Sequence, residues 1–421
     1  MNKNFLILLM SLLSLSCFSQ TLQQCYNAAE SNYPLIKQAN LIEQTKQLTL
    51  SNIKRGWIPQ FQVSAQATYQ SDVTAFPEQI QNLYQQIGIN MAGLQKFQYR
   101  IGLDMQQTIY DGSAMHYQKQ VAQRQAETDK AQLESNLYAI KQRVNDLYFG
   151  LLLINENIKL NEELQDLLLK NEQKLQKLYS RGLISKSDLE AVKAERLTTA
   201  QQTVTLQSNA EQLTAILSAF CGIEITDLQR PEPITSTTEN DRPELKYFDA
   251  QANLINAYRK QLNAAITPRI SLFASAFYGY PGYNLFNDMM HHDGSLNAIV
   301  GAKLSWNIGG FYTRKNDKNK LQLKAQMIEN NREIFLFNNR LEQIGKDEQI
   351  KKYQRLEKDD ADIIALRTSV RQASESKLEN GTIDINDLLK DIFNENNAKI
   401  QNAIHQIEML KYQYEKQWLN G

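Results

Sequence analysis

The stretch Phe97-Gln-Tyr99-Arg-Ile101-Gly-Leu103-Asp-Met105-Gln-Gln-Thr-Ile109-Tyr110-Asp111-Gly112 changes its period at its last two residues. From Phe97 to Met105 every second side chain is apolar, the alternation of a strand with one apolar face. Asp111-Gly112 closes that run. From Ser113 to about Tyr179 there is no proline and only Gly150, and Leu133, Leu137, Ile140, Val144 and Leu147 fall at helical spacing. A helix of that length, at ~1.5 Å per residue, would be about 100 Å long. Globular helices usually run roughly 8–20 residues, so coiled-coil packing is expected.

Reading outward from this junction shows the same layout twice. Upstream, Thr21 to Lys54 reads as one helix with Leu22, Cys25, Ala28 and Ala29 on one side, and Gly56 and Pro59 end it. Phe61, Val63, Ala65, Ala67 and Tyr69 then alternate with polar residues. Downstream, Arg181-Gly182 interrupts the long helix and a second one follows. From Asp241 the order begins again: a helix to about Ala265, an alternating run from Ile270 to Tyr278, a loop with Pro281, Gly282 and Gly294, and a run from Ala298 to Ile308. Gly309-Gly310 opens another proline-free helix, Asn380-Gly381 breaks it, and a last helix reaches Trp418. Gly112 to Gly182 is 70 residues and Gly310 to Gly381 is 71. A duplicated unit accounts for this most simply. The expected repeats are 20–228, with strands at about 60–70 and 97–110 and helices at 112–180 and 186–220, and 244–421. The second repeat has strands at about 269–279 and 298–308 and helices at 311–379 and 384–418. The proline-bearing segment 229–243 links them.

Met1-Asn2-Lys3-Asn4 followed by the apolar run Phe5 to Leu15 and by Ser16, Cys17, Phe18 and Ser19 has the layout of a secretory signal peptide, here residues 1–19. Cleavage is expected after Ser19; a lipidated Cys17 is the alternative. The longest apolar stretch beyond it, Tyr148 to Ile154, is far short of the roughly twenty residues of a membrane helix. With 46 basic and 46 acidic side chains in 421 residues, there is no basic excess to neutralise phosphates, so no nucleic-acid partner is expected. Three Cys exclude a disulfide-dense scaffold or a Cys-rich metal cluster.

The strands pose a question of number. Each alternating run has the length a tilted strand needs to cross a bilayer, roughly 9–11 residues. Four strands cannot close a barrel, because single-chain barrels start at about eight. Open sheet edges are not tolerated in hydrocarbon. Either the strands form a small soluble sheet, or several copies pool them.

Two local signatures recur at matching places. One is the strand-to-helix junction, Gln107-Thr-Ile109-Tyr110-Asp111-Gly112 and Ser305-Trp306-Asn307-Ile308-Gly309-Gly310. The other is the helix–helix turn, Tyr179-Ser-Arg-Gly182-Leu-Ile-Ser185-Lys-Ser-Asp188-Leu189 and Leu378-Glu-Asn-Gly381-Thr-Ile-Asp384-Ile-Asn-Asp387-Leu388. With this layout the chain resembles the TolC-like outer membrane efflux proteins, the exit ducts of tripartite pumps and type I secretion systems, over about residues 21 to 418. The resemblance implies a mainly α chain with transmembrane β, a duplicated TolC-like α/β-barrel: a homotrimer in the cell outer membrane, four strands per chain in a shared twelve-stranded barrel, and long helices forming a periplasmic tunnel. It also implies an adaptor (membrane fusion) protein docked at the periplasmic tip and, through it, an inner membrane transporter, with opening by helix rearrangement. The matching turn residues Gly182, Leu183, Ser185, Asp188, Leu189, Gly381, Thr382 and Leu388 are the docking candidates. The family narrows its tunnel with rings of aspartate just after the second turn; Asp387 matches the first acid, and Lys390 stands where a second acid is expected.

The residues themselves read as stop and start signals. Gly182 and Gly381 suit a left-handed position past a helix end. Ser185 and Asp188 have capping-box spacing, and Asp384 and Asp387 repeat it with an acidic cap. His116, His291, His292 and His405 are scattered, and adjacent His291-His292 do not converge on a metal as an i,i+4 pair would. No phosphate-binding glycine loop or nucleophile elbow is present, so neither an enzyme nor a cofactor is expected. The competing reading is an exported coiled-coil structural or binding protein without a channel.

Overall fold

A computed structural model describes residues 20–90, 93–234 and 241–421. The expected signal peptide, Cys17 included, lies outside these residues, as does part of the expected link. In chain order the elements are α1 (Leu22–Asn32), α2 (Lys37–Arg55), β1 (Gln60–Tyr69), α3 (Glu78–Gln86), β2 (Phe97–Tyr110), α4 (Ala114–Ser180) and α5 (Lys186–Cys221). There follow α6 (Pro243–Ala264), β3 (Arg269–Tyr280), α7 (Leu285–His291), β4 (Ser295–Ser305), α8 (Gly310–Glu379) and α9 (Ile385–Asn420). No described helix is long and apolar enough to cross a membrane.

Two boundaries differ from the sequence reading, each for a local reason. The helix expected across Thr21 to Lys54 is broken: a short 3-10 turn, Pro34–Ile36, separates α1 from α2. Tyr33 takes an extended conformation (φ −64°, ψ 130°) because the following proline ring disfavours helix there. The fourth strand runs Ser295–Ser305 and not 298–308. Its register with β3 starts at Gly279↔Ser295 and its partner begins only at Arg269, opposite Ser305. Beyond that point the Trp306 indole Nε1 donates to the Ile266 carbonyl at 2.8 Å and the chain turns into α8.

The chain packs as two compact units, each drawing on both halves of the sequence. Among the described residues, one holds those up to Ala39 with Lys130–Tyr247 and Asn330–Gly421; the other holds Asn40–Asp129 and Phe248–Glu329. The units are therefore not the two expected repeats.

In the first unit α1 docks by its apolar side. Thr21 caps it reciprocally: the Gln24 amide donates to Thr21 Oγ1 at 3.3 Å and the Thr21 amide to Gln24 Oε1 at 2.9 Å. Leu22, Cys25 and Ala29 of α1 are buried with Val144, Tyr148, Phe149 and Leu151 of α4, Leu217 and Cys221 of α5, and Ile407 and Leu410 of α9. Tyr148 Oη donates to the carbonyls of Gln20 (2.8 Å) and Gln229 (2.6 Å), so the one polar atom of that ring is satisfied.

The second unit holds one antiparallel sheet in the order β1-β2-β3-β4. The register aligns Phe61 with Met105, Ala274 and Val300, and Val63 with Leu103, Ala276 and Ala298. Carrying that alignment along the strands divides the sheet by chemistry. One face is Phe61, Val63, Ala65, Ala67 and Tyr69 on β1; Phe97, Tyr99, Ile101, Leu103 and Met105 on β2; the even positions Ile270 to Tyr280 on β3; and the even positions Leu296 to Leu304 on β4. It carries no charge. The other face holds Gln60, Gln62, Ser64 and Gln66, Arg100 and Asp104, Ser271 and Ser275, Asn297 and Lys303. Phe273, Phe277 and Ile299 also lie on this face; Phe277 is buried under the Arg100 guanidinium, 3.9 Å from the ring centroid.

Candidate functional site

The two helix–helix turns that the sequence singles out are built alike and share one core. After α4, Gly182 has φ +72°; its amide donates to the Tyr179 carbonyl at 2.9 Å and the Leu183 amide to the Leu178 carbonyl at 3.0 Å. After α8, Gly381 has φ +71°, with its amide on the Leu378 carbonyl (2.9 Å) and the Thr382 amide on the Lys377 carbonyl (3.0 Å). Both are Schellman ends, which need a residue tolerant of the left-handed region. A methyl group at either glycine would meet no atom within 4 Å. Gly182→Ala and Gly381→Ala are therefore expected to cost only backbone strain, about 1–2 kcal/mol each, read as a modest fall in melting temperature with the fold retained.

The two turns differ at the start of the next helix. Ser185 caps α5: the Asp188 amide donates to Ser185 Oγ (3.2 Å), while Asp188 Oδ2 accepts from the Ser185 amide (3.0 Å) and hydroxyl (2.8 Å). Asp384 caps α9 by accepting from the Asp387 amide at 2.9 Å, and no reciprocal bond comes back from the Asp387 carboxylate. The Asp384 side chain lacks the hydroxyl proton that Ser185 donates, and its carboxylate repels a second one. The Asp188 carboxylate is thus taken up by capping, and that of Asp387 stands exposed on the first turn of α9 with Lys390 exposed three residues on. Among the described ion pairs none joins Asp387 to Lys390.

The turns lie side by side. Leu164, Leu168 and Leu175 of α4 and Val192 of α5 are buried with Ile385, Leu388, Leu389 and Ile392 of α9, and Ile184, Leu189 and Leu378 pack against them. Lys174 Nζ reaches Glu379 Oε1 at 3.4 Å. Of the docking candidates, Gly182, Leu183, Ser185, Gly381 and Thr382 are exposed, Leu183 at 65 %. Asp188 and Leu189 are half-buried. Leu388 is 1 % exposed. Its side chain is core that holds the turns together, and it offers no surface.

A pair of ion bridges flanks the turns, which the sequence reading missed. Arg196 Nε meets Glu172 Oε2 at 2.5 Å across α4 and α5. Across α8 and α9, Arg371 Nε meets Glu395 Oε2, and Arg371 Nη1 meets Glu375 Oε1 at 2.7 Å. Counted from each glycine, Glu172 is 182 − 172 = 10 residues before and Arg196 is 196 − 182 = 14 after; Arg371 is 381 − 371 = 10 before and Glu395 is 395 − 381 = 14 after. The bridge recurs at the same offsets with its charges reversed. Lys399 Nζ (3.1 Å) and Thr368 Oγ1 (3.0 Å) complete the shell of Glu395. Burial pushes the Glu395 carboxyl up, but the hydrogen bonds and charges of Arg371 and Lys399 outweigh it and hold it below the ordinary carboxylate range.

The histidines go elsewhere. His291 ends α7, and His292, in the left-handed region at φ +56°, holds the Gly93 carbonyl through Nε2 at 2.8 Å. Asp288 is buried and accepts from the Gly282 amide at 2.7 Å, which braces the loop between β3 and β4. His405 Nδ1 lies 2.8 Å from Asp360 Oδ2 between α9 and α8, and His116 pairs with Gln120 on its own helix. Among the described residues no group of three His, Cys, Asp or Glu is placed to hold a metal ion.

Long paired helices with glycine turns, joined in sequence to a four-stranded sheet that turns an uncharged face outward, make up the TolC-like fold, and this chain has it. The same fold is found in solved outer membrane proteins. The outer-membrane channel OprN matches with a TM-score of 0.67 at 15% identity, covering 95% of this chain and 90% of that one. VceC from Vibrio cholerae gives 0.66 at 14% identity (95% and 96% covered), and the Campylobacter jejuni CmeC outer membrane channel 0.65 at 15% (95% and 86%). No protein-family model and no curated protein matches the sequence.

Proposed function

We propose that this chain is the outer membrane exit duct of an efflux or secretion system, a passive conduit formed by three copies. The observation that carries the reading is the sheet. Its uncharged face is exposed over most of its length, with Val63 at 73 %, Leu296 at 78 % and Val300 at 78 %, and is covered only at Tyr280, which packs with Leu94 and Met289. Monomeric soluble proteins rarely expose contiguous apolar patches beyond a few hundred Å². Both edge strands, β1 and β4, lack an outer neighbour among the described residues. Pooling strands from copies satisfies both edges, and hydrocarbon satisfies the face. At four strands per chain, three copies give the twelve-stranded barrel that the resemblance implies. The polar face then lines the lumen. OprN and CmeC, which share the fold, are outer membrane channels, which agrees. A coiled-coil scaffold without a channel leaves the uncovered face with no role.

In this reading the helices form the periplasmic tunnel, and an adaptor protein, itself joined to an inner membrane transporter, docks at the exposed side of the two turns. Leu183, Ser185 and Thr382 with the glycine bends are its contact surface, and Leu388 supports it from beneath. The chain has no chemistry to perform; opening is a change in helix packing. The deciding experiment is fractionation. The protein should leave the outer membrane only in detergent and run as a trimer. A soluble monomer would overturn the duct.

Asp387 and Lys390 test the gate. Both carry exposed side chains near the second turn, so three copies place an acid ring beside a basic one. Asp387→Asn should weaken block by divalent cations and Lys390→Asp should strengthen it, each by severalfold in single-channel recordings. Unchanged current and block in both variants would remove these residues from the gate.

A further inference from the structure

The fold brings together two cysteines that stand 221 − 25 = 196 residues apart in sequence. Cys25 lies on the docked face of α1 and Cys221 is the last residue of α5. Both side chains are buried, at 0 % and 2 % exposure, in the core formed with Val144, Tyr148 and Leu217. Both are free thiols in this structure, and the Cys221 thiol donates to the Cys25 carbonyl at 3.5 Å. The joint is held from other sides as well: Asn32 Nδ2 donates to the Ala219 and Phe220 carbonyls, each at 3.2 Å, where α5 ends. Nothing in the proposed duct uses these sulfurs.

We propose that Cys25 and Cys221 are joined as a disulfide in the exported protein, a covalent staple between the N-terminal helix and the end of α5. The inference rests on the outer membrane reading, because export places the folding chain where disulfides form and persist. The Cys221 sulfur already lies against the Cys25 backbone in the folded core. Closing a loop of that length is the case in which a crosslink restricts the unfolded chain most.

The chemistry is an exchange with a thiol–disulfide oxidoreductase in its disulfide form. The Cys25 thiolate attacks one sulfur of that disulfide, forming a mixed disulfide and releasing the partner's second sulfur as a thiolate. The Cys221 thiolate then attacks Cys25 Sγ; the Cys25–Cys221 bond forms and the first partner sulfur leaves. The two protons end on the partner, which departs as a dithiol, and two electrons have passed to it. Exchange goes through thiolates. In the folded core the Cys25 thiol is pushed far up by its hydrogen bond to Cys221 and by burial, so the step belongs before α1 docks. Once formed, the buried bond meets reductants as the core opens, which is what heating brings about in a melt.

The test uses the full chain isolated from membranes in the presence of an alkylating agent. After denaturation, a fresh thiol reagent should label neither cysteine until a reductant is added, and peptide mapping should recover Cys25 and Cys221 in one linked fragment. Reductant should lower the melting temperature of the wild-type protein by several degrees and leave that of a Cys25→Ala, Cys221→Ala double variant unchanged. Two freely labelled thiols in a chain that fractionates with the outer membrane would overturn the staple and leave the duct standing. Two free thiols in a soluble chain that never leaves the cytoplasm would overturn both. A wild-type melting temperature indifferent to reductant would also reject the staple.

Discussion

For the proposed duct, replacing Val300 by Arg is expected to abolish an outer membrane trimer while Gln62→Arg leaves it intact. Val300 is the middle residue of β4, on the uncharged face, and is 78 % exposed. In a soluble chain, a charge at so exposed a position would be nearly neutral, within about 0.5 kcal/mol. At the midplane of a barrel facing lipid, an Arg costs about 2–4 kcal/mol per copy, and a trimer carries the cost three times. Gln62 sits on the opposite face, beside Asp104 in the register. There the same introduced guanidinium meets water and a carboxylate. The two variants share the added charge on exposed edge-strand positions and put it on opposite faces. The readout is the amount of detergent-extracted trimer in the outer membrane fraction. Equal trimer from both would mean that the uncharged face does not meet lipid.

That face was written in the sequence residue by residue, since alternation assigns each side chain to a side. What alternation could not say is whether anything covers it, because cover is a matter of tertiary packing. The turns were legible for a similar reason: glycine at a fixed distance from each strand-to-helix junction needs no partner to be recognised. The limits fall where a partner decides. Trp306 and Ile308 continue the alternation of β4 on paper, but β3 begins only at Arg269 and the strand stops with it. Asp188 and Asp387 look equivalent in sequence. The Ser185 hydroxyl donates to the first, whereas the Asp384 carboxylate lacks that proton and repels the second, so one carboxylate is taken up by capping and the other is left exposed. Leu388 is a docking candidate by the resemblance alone, and the core shared by both turns takes its side chain inside. The charge-reversed bridges had a sequence signal, the common offsets of 10 and 14 from Gly182 and Gly381, but an ion pair across two helices is recognised only after the helices are paired.

Those bridges make the second large prediction, the loss of Arg371. Its guanidinium spans two carboxylates, Glu395 on α9 and Glu375 on its own helix, and only 12 % of its side chain is exposed. Glu395 is deeper, with 5 % of its side chain exposed. Arg371→Ala leaves that buried carboxylate with Lys399 and Thr368 alone. Removing one partner of a buried pair costs roughly 3–5 kcal/mol; with Lys399 still 3.1 Å away the lower end, about 3 kcal/mol, is expected. Arg196→Ala at the matching bridge should cost less, because Arg196 and Glu172 keep 26 % and 19 % of their side chains in solvent. Acid supplies the independent check. The folded Glu395 carboxyl is held below its ordinary value, so its stabilisation is complete above that ordinary value and is lost as pH falls through the lowered one. Melting temperature measured from neutral pH downward should therefore fall in the wild type, and Glu395→Gln should remove this part of the fall. If the bridges mainly fix how each helix pair meets at its turn, Arg371→Ala should also broaden the conductance levels of the single channel, whereas Arg196→Ala changes them little. Equal losses at the two bridges, with acid profiles unchanged by Glu395→Gln, would reject the unequal burial on which the prediction depends.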